Sequence, residues 1–332
     1  MSPPPPAAAL VPEALHHVDG AMPSLTLAGE AQRLRRQAFV AALVAAACIG
    51  FSPIFVRLAD VGPAAIGFWR LLFALGPTAL WAYAERREAL VRRSTGATRI
   101  GARHLAFGAL AGFFFAVDLI LFHAGLARTT TANGVLLGNL APVFVLLMAW
   151  LLLGERPTLA LMTALALALG GAAVIVLAST SSGGAGAASV TGDLMCAIAA
   201  STYAAYMLVV RMVRRAGSTT AMSGGMVALL SSAAGALFCL AWAVGTGEQI
   251  VPASLRGFLA VAGLGVVTHA VGQGLATFAL GRLQAGTVSI VLLVQVVVGI
   301  SMAALVFGEF PSFAAIVGGS LIVLGVLAVR PR

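Results

Sequence analysis

Apolar stretches of about 20 residues recur along almost the whole chain, and this feature constrains the fold more than any other. Each stretch is long enough to cross about 30 Å of hydrocarbon as an α-helix. Barrel strands would instead read as short alternating segments separated by turns. The pattern predicts an all-α integral membrane protein with ten spans, at residues 38–57, 63–83, 105–125, 131–153, 158–178, 192–211, 221–244, 257–279, 285–307 and 312–329.

A Gly/Ser-rich segment separates the first five predicted spans from the last five, and its composition is typical of a flexible linker. The first residues of the chain are rich in proline and alanine and contain no apolar core, which favours disorder. The predicted organisation is a disordered arm at 1–37, a first five-helix repeat at 38–178, a linker at 179–191 and a second five-helix repeat at 192–332.

The two halves are related by an internal duplication. Residues of the first half recur in the second at a constant offset of 154, as Glu155 does at Glu309 and Arg57 at Arg211. Because each repeat has an odd number of spans, the second copy enters the bilayer from the opposite side. Two inverted five-helix repeats are therefore predicted, which is an architecture of secondary transporters.

The basic residues predict the orientation. The net charge is +9, and all 20 basic residues are arginines. Sixteen arginines fall on the side of the amino terminus, three fall on the other side, and Arg70 lies within the second span. The positive-inside rule then places both termini in the cytoplasm, and the excess charge does not indicate a nucleic-acid partner. Abundant alanine, glycine and arginine favour a bacterial source, hence the inner membrane.

Several short motifs resemble the EamA-type members of the drug/metabolite transporter superfamily, over residues 38–329. These motifs are Gly50-Phe51-Ser52-Pro53-Ile54-Phe55, Gly67-Phe68-Trp69-Arg70, Asn139-Leu140-Ala141-Pro142-Val143-Phe144, and the Gly-Glu pairs at 154–155 and 308–309. Val296 departs from the family pattern, which often has a proline there as the counterpart of Pro142. The resemblance implies a ten-helix carrier of small organic metabolites, often an exporter, that works by alternating access.

Two charged residues lie at matching depths inside predicted spans. Arg70 and Asp118 are each eight residues, or about 12 Å, from the same membrane surface. Charges inside hydrocarbon are costly unless they are paired or hydrated. They can form a structural pair that joins two helices. Alternatively, Arg70 attracts a substrate carboxylate or phosphate, and Asp118 exchanges a proton or binds a substrate amine.

Uncharged polar residues supply further candidates for substrate binding or coupling. His269, Gln273 and Thr277 recur every fourth residue in the eighth span, and we expect this stripe to face inward. The alternative for His269 is a neutral core histidine that is satisfied by a neighbour. Asn139 and Gln295 lie in the fourth and ninth spans, where they line the pathway or make interhelical hydrogen bonds.

Prolines and glutamates at the ends of spans are interpreted as structural. Pro53 and Pro142 are expected to interrupt the first and fourth spans. Glu155 and Glu309 precede the fifth and tenth spans, where a carboxylate is favourable beside a helix amino terminus.

Motifs for other chemistry do not occur in the sequence. There is no GxxxxGK[ST] phosphate loop and no HExxH metal motif, so neither a cofactor, a metal nor an enzymatic activity is predicted. The expected partners are a small-molecule substrate, the lipid bilayer and, as the candidate coupling ion, protons. A monomer is sufficient because the pathway is internal to one chain, and at most a weak dimer is expected. The alternative function is a membrane-embedded enzyme or lipid-handling protein.

Overall fold

The computed structural model describes residues 22–91, 101–126, 128–129, 137–180, 190–215, 222–307 and 313–329, and it contains no β-strand in these ranges. The elements are α1 Met22–Gly50, α2 Ser52–Leu58, α3 Pro63–Val91, α4 Ala102–Leu126, α5 Ala141–Leu153, α6 Leu159–Thr180, α7 Val190–Arg214, α8 Gly224–Gly245, α9 Leu255–Gly263, a π-helical segment Leu264–Gln273, α10 Gly274–Leu280, α11 Ala285–Leu292, α12 Val294–Phe307 and α13 Phe313–Ala328.

The helices have the length and composition of membrane spans. Among the described residues, seven helical stretches of 22 to 29 residues are apolar enough to cross a bilayer, and three shorter apolar helices accompany them. The shorter ones are Ala141–Leu153, Leu159–Val174 and Ile316–Ala328. The chain is therefore an all-helical, multi-pass membrane protein, as the recurring apolar stretches predicted.

The amino-terminal segment differs from the predicted disordered arm. Helix α1 begins at Met22, so residues 22–37 are helical and continue into the first span without a break. Residues 30–37 consist of Glu, Ala, Gln, Arg and Leu, which are all strong helix formers. The prediction of disorder was wrong over this stretch. Residues 1–21 and the central part of the predicted linker, 181–189, lie outside the described residues, and the ends of that linker are helical.

Within the described residues, four spans contain an interruption. The first breaks at Phe51, directly before the Ser52-Pro53 pair that opens α2. The eighth contains the ten-residue π-helical segment between α9 and α10. The ninth breaks at Leu293 although Val296 replaces the proline expected nearby, so a proline is not needed for that break. In the fourth span, helical residues 137–138 are followed by a turn at 139–140, and Pro142 is the second residue of α5, where a missing backbone N–H costs nothing.

The principal helix contacts are related by the same offset of 154 as the sequence duplication. Helix α3 packs on α8, and α6 packs on α13, which pairs the second span of each repeat and the fifth span of each repeat. Helix α4 packs on α7. The counterpart of α4 in the second repeat is the π-helical segment with α10, and the counterpart of α7 in the first repeat is α1. These two counterparts also pack on each other. This exchange of contacts is what an approximate two-fold axis between the repeats produces.

The crossing of α6 and α13 shows the two-fold relation at atomic detail. A Cβ added at Gly171 would overlap the carbonyl oxygen of Gly318, and a Cβ added at Gly325 would lie 2.7 Å from the carbonyl oxygen of Ala164. The two contacts are the same contact seen from each repeat, because both residue pairs are 154 apart. Glycine at each position lets the backbones approach closely.

Candidate functional site

Helix α3, which carries Arg70, is hydrogen-bonded at both ends to residues at or just beyond the ends of helix α8. At one end, Glu248 accepts hydrogen bonds from the backbone amides of Ala64 and Ala65 at 2.8 and 3.1 Å. At the other end, Glu85 of α3 accepts a 2.7 Å bond from the amide of Gly225, at the start of α8. Each carboxylate satisfies amides that have no partner within their own helix. The position of Arg70 along the pair is thereby fixed.

Phe115 of α4 lies at the centre of a mostly buried cluster of polar side chains. The guanidinium of Arg70 lies over its ring at 5.5 Å from the centroid. The ring centroid of His269 is 5.2 Å away, and the rings of Tyr206 and Tyr203 are at 4.9 and 6.3 Å. One aromatic ring therefore contacts groups from three other elements, and Phe115 and His269 occupy matching positions in the two repeats.

Asp118 lies one helical turn beyond Phe115 and is half-buried, whereas Arg70 is only 7% exposed. The two charges interact electrostatically. Among the contacts of the described residues, no salt bridge within 4 Å joins them, and the Nε of Arg70 has no hydrogen-bond partner. A buried guanidinium without a complete set of acceptors is costly, which favours a further partner for it.

The π-helical segment supplies His269 and Gln273, and both side chains are 4% exposed. The Nε2 of His269 is 2.9 Å from the hydroxyl oxygen of Ser232, while its Nδ1 has no partner. The side-chain nitrogen of Gln273 is also without a partner. Six buried polar atoms lack a partner among the described residues, and three of them belong to this cluster. π-helical turns are often found at functional sites.

Three polar residues of the cluster were missed by the sequence analysis, namely Tyr203, Tyr206 and Ser232. The hydroxyls of both tyrosines lie beside Gln273, and Tyr206 also approaches Thr277, which is 1% exposed. A usable signal existed, because the chain has only three tyrosines and two of them lie one turn apart in a single span. Ser232 had no such signal.

Asn139 and Gln295 are not brought to this cluster by any described contact. Asn139 is 9% exposed just before α5, and Gln295 is half-buried on α12, where its backbone oxygen faces Gly50. At the far end of α4, the Nδ1 of His123 lies 3.3 Å from the carbonyl oxygen of Pro63. The cluster therefore unites four of the six predicted binding residues, Arg70, Asp118, His269 and Gln273.

Glu155 has a different partner from the one predicted. It forms a salt bridge with Arg211 of α7, whose Nε and terminal nitrogen are both 2.8 Å from one carboxylate oxygen. Its other oxygen accepts a 3.1 Å bond from the amide of Ala285, the first residue of α11. Glu155 thus caps the helix of the ninth span, not that of the fifth. Glu309 lies outside the described residues.

Within the described part of the chain, no group of three or more His, Cys, Asp or Glu side chains is placed to hold a metal ion. The cluster instead combines a cation, a carboxylate, neutral hydrogen-bonding groups and aromatic rings in a setting of low polarity. Such a set is suited to bind a small molecule that carries both charged and apolar parts.

A family model described as EamA-like transporter family matches residues 36–177 and again residues 190–330. The chain belongs to the EamA-like transporter family. The two matches cover both repeats, so the duplication found in the sequence is a duplication of the EamA unit. Members of this family are transporters, which makes the chain a membrane transporter by family and implies a small-molecule substrate and a lipid bilayer as its partners.

The fold of this EamA chain is also found in a solved crystal structure of another protein. It superposes with a TM-score of 0.68 at 19% sequence identity, over 89% of this chain and 97% of the other. At that identity the likeness concerns the fold alone. No curated protein matches the chain at a significant level.

Proposed function

We propose that this protein is a secondary transporter of the bacterial inner membrane that exports small organic metabolites by alternating access. It has ten membrane spans, arranged as two inverted repeats of five, and both termini are cytoplasmic. The supporting observation is the central cluster: three buried polar atoms without partners, contributed by both repeats, meet around Phe115 and His269. Unsatisfied buried polar groups at a repeat interface are expected where a ligand binds.

The contacts at the helix ends support this topology. In an inverted ten-span arrangement, the ends of the fourth, sixth and eighth spans lie on the cytoplasmic side. Glu155, Arg211 and the carbonyl oxygen of Leu280 come from those three ends and contact one another, with Arg211 donating to Leu280 at 2.8 Å. Glu248 and Ala64, which this topology assigns to the opposite side, also meet.

The charges of the cluster indicate the substrate class. Arg70 and Asp118 are opposite charges without a direct salt bridge, and the partnerless groups of Arg70 and Gln273 are hydrogen-bond donors. A substrate with a carboxylate and an amine would satisfy both charges, with the carboxylate at Arg70 and the amine at Asp118. Phe115 and Tyr203 would contact its apolar part. Amino acids, related compounds and amphipathic drugs have this chemistry.

Alternating access requires that the two repeats rotate relative to each other about the site, while the helix packing within each repeat is kept. The Phe115–His269 contact lies where the approximate two-fold axis passes, so a rotation there displaces both ends of the molecule but not the site. The interruptions at Phe51, Leu293 and the π-helical segment provide points at which spans can bend. Proton antiport, exchange and downhill export are all compatible with one carboxylate, Asp118, in the cluster.

Flux into liposomes that contain the purified protein tests the proposal. The panel comprises labelled amino acids, the corresponding acids without the amine, the corresponding amines without the carboxylate, and cationic dyes, with protein-free liposomes as the control. The expected result is saturable flux of chemically unchanged compounds that carry both groups. An imposed pH gradient then separates proton antiport, in which the gradient drives flux, from exchange.

The alternative function, a membrane-embedded enzyme or lipid-handling protein, would use the same buried polar groups for catalysis. Chemical analysis of the compounds recovered from the liposomes discriminates the two. Conversion of a panel member or of the liposome lipid without flux would overturn the transporter proposal, whereas flux without conversion would overturn the alternative.

A further inference from the structure

A second feature of the molecule lies at its surface, on the amino-terminal part of α1. A shallow groove with a volume of about 630 Å³ runs along one face of this helix. Two arginines stand in the upper part of the groove and two small apolar residues lie at its lower end. The lining residues in the described part of the chain are Gly29, Gln32, Arg33, Arg36, Gln37, Val40 and Ala41.

The groove crosses the point at which the apolar span of α1 begins. The apolar span of this helix begins at Gln32 and continues to Leu58. Arg33 and Arg36 are exposed at its start, and Val40 and Val44 continue the same face with exposed fractions of 57% and 44%. Since one turn takes 3.6 residues, the valines lie directly below the arginines on the lipid-facing side.

The opposite face of α1 is different. Ala38, Ala42 and Ala45 are fully buried against the rest of the bundle. Arg35 is exposed, but it stands above that buried face and does not line the groove. The acidic Glu30 likewise lies outside the groove lining. Among the described residues that line it, the groove therefore offers two positive charges and no carboxylate at its head, with exposed valine side chains below.

We propose that this groove is a binding site for one anionic phospholipid. The phosphate and the acidic headgroup contact Arg33 and Arg36, and an acyl chain follows Val40 and Val44 into the hydrocarbon layer. The charge complementarity and the vertical order of the groups, with cations at headgroup level and apolar side chains beneath, fit this ligand. Guanidinium groups bind phosphate oxygens in a two-pronged geometry. The site is independent of the substrate cluster.

Native mass spectrometry of the purified, detergent-solubilised protein measures this binding directly. The protein is titrated with phosphatidylglycerol and, in parallel, with phosphatidylcholine of the same acyl chains. We expect wild type to retain phosphatidylglycerol preferentially. Each of Arg33→Gln and Arg36→Gln should weaken its binding about fivefold, which is the contribution of one arginine at an anionic membrane surface. Arg35→Gln is the matched control, because it removes one charge from the same turns on the other face.

Three outcomes would overturn the proposal. Equal retention of both lipids in wild type means that the groove does not recognise charge. An equal loss in Arg35→Gln means that the effect comes from net charge and not from the groove. A shift between monomer and dimer in Arg33→Gln and Arg36→Gln, without a change in bound lipid, assigns this face to a second copy of the chain. Selective loss in the two groove variants alone supports the site.

Discussion

The two repeats have matching residues at the α6–α13 crossing but different residues in the central cluster. At the crossing, Gly171 and Gly325 occupy matching positions and make matching backbone contacts. In the cluster, Arg70 and Asp118 correspond to Gly224 and Gly272, and His269 corresponds to Phe115. The packing that positions the spans has stayed symmetric, whereas the chemistry of the site has not. The first repeat supplies the charges of the cluster and the second supplies most of its neutral polar groups.

The largest expected effect concerns the asymmetric region. Arg70→Gln and Asp118→Asn should each reduce flux in proteoliposomes to the background of protein-free liposomes, because either change leaves one buried charge without its electrostatic partner and removes a proposed substrate contact. Arg128→Gln is the control, since that arginine is exposed and, among the described residues, its side chain donates to the carbonyl oxygen of Ala124 at the end of α4. Normal flux in Asp118→Asn would assign the pair a purely structural role.

The next effect concerns the salt bridge between Glu155 of the first repeat and Arg211 of the second. Glu155→Gln and Arg211→Gln should each lower the free energy of unfolding by about 2–4 kcal/mol, because the pair is only 9% and 12% exposed and one partner is left uncompensated. Thermal or denaturant unfolding in detergent gives the value. In the double variant the losses should be less than additive. The same changes at the matching positions, Arg57 and Glu309, test whether the symmetry extends to the other end.

A smaller effect is expected at the symmetric crossing. Gly171→Ala and Gly325→Ala should each destabilise the protein by about 1–3 kcal/mol, because the added methyl group meets backbone of the facing helix. The neighbouring Gly170→Ala provides a matched control, since a Cβ added at Gly170 would have no neighbouring atom within 4 Å. If all three variants unfold at one temperature, the close crossing does not contribute to stability.

The smallest effect concerns the loop between α2 and α3. Asp60 accepts a 2.7 Å hydrogen bond from the hydroxyl of Ser254, which lowers the pKa of this carboxyl. A lowered pKa stabilises the folded protein at pH values above the ordinary pKa of an aspartate. This stabilisation is lost as the pH falls through the lowered pKa. Ser254→Ala should therefore shift acid unfolding slightly to higher pH. An unchanged acid transition would show that the bond has no energetic role in this exposed loop.

The sequence could predict features that do not depend on how helices face one another. Span positions follow from runs of apolar residues, and the duplication follows from a constant offset. Arg70 and Asp118 stood out because a charge inside an apolar stretch must be satisfied. His269 and Gln273 were found because they lie four residues apart. The structure brings these four side chains into one cluster.

Other features depend on tertiary packing and could not be predicted. Nothing in the sequence distinguishes Ser232 from other serines in the spans. Its hydroxyl reaches His269 only because α8 packs beside the π-helical segment. The π-helical hydrogen bonding of that segment was not predicted either, because such turns are rare and occur inside stretches that otherwise read as α-helix. Glu155 was expected to cap the next helix in the chain, but the arrangement of the repeats brings the amide of Ala285 closer. Local rules cannot choose between such partners.

Cysteine accessibility at Asp118 tests most directly whether the asymmetric cluster is the substrate site of an alternating-access carrier. In a variant without Cys48, Cys196 and Cys239, Asp118→Cys is treated with a membrane-impermeant thiol reagent from either side of the membrane. Phe113→Cys, on the same helix but packed against Phe238, is the control. We predict that Asp118→Cys reacts from both sides and Phe113→Cys from neither. Reaction of Asp118→Cys from one side only, or from neither, would contradict alternating access to this cluster.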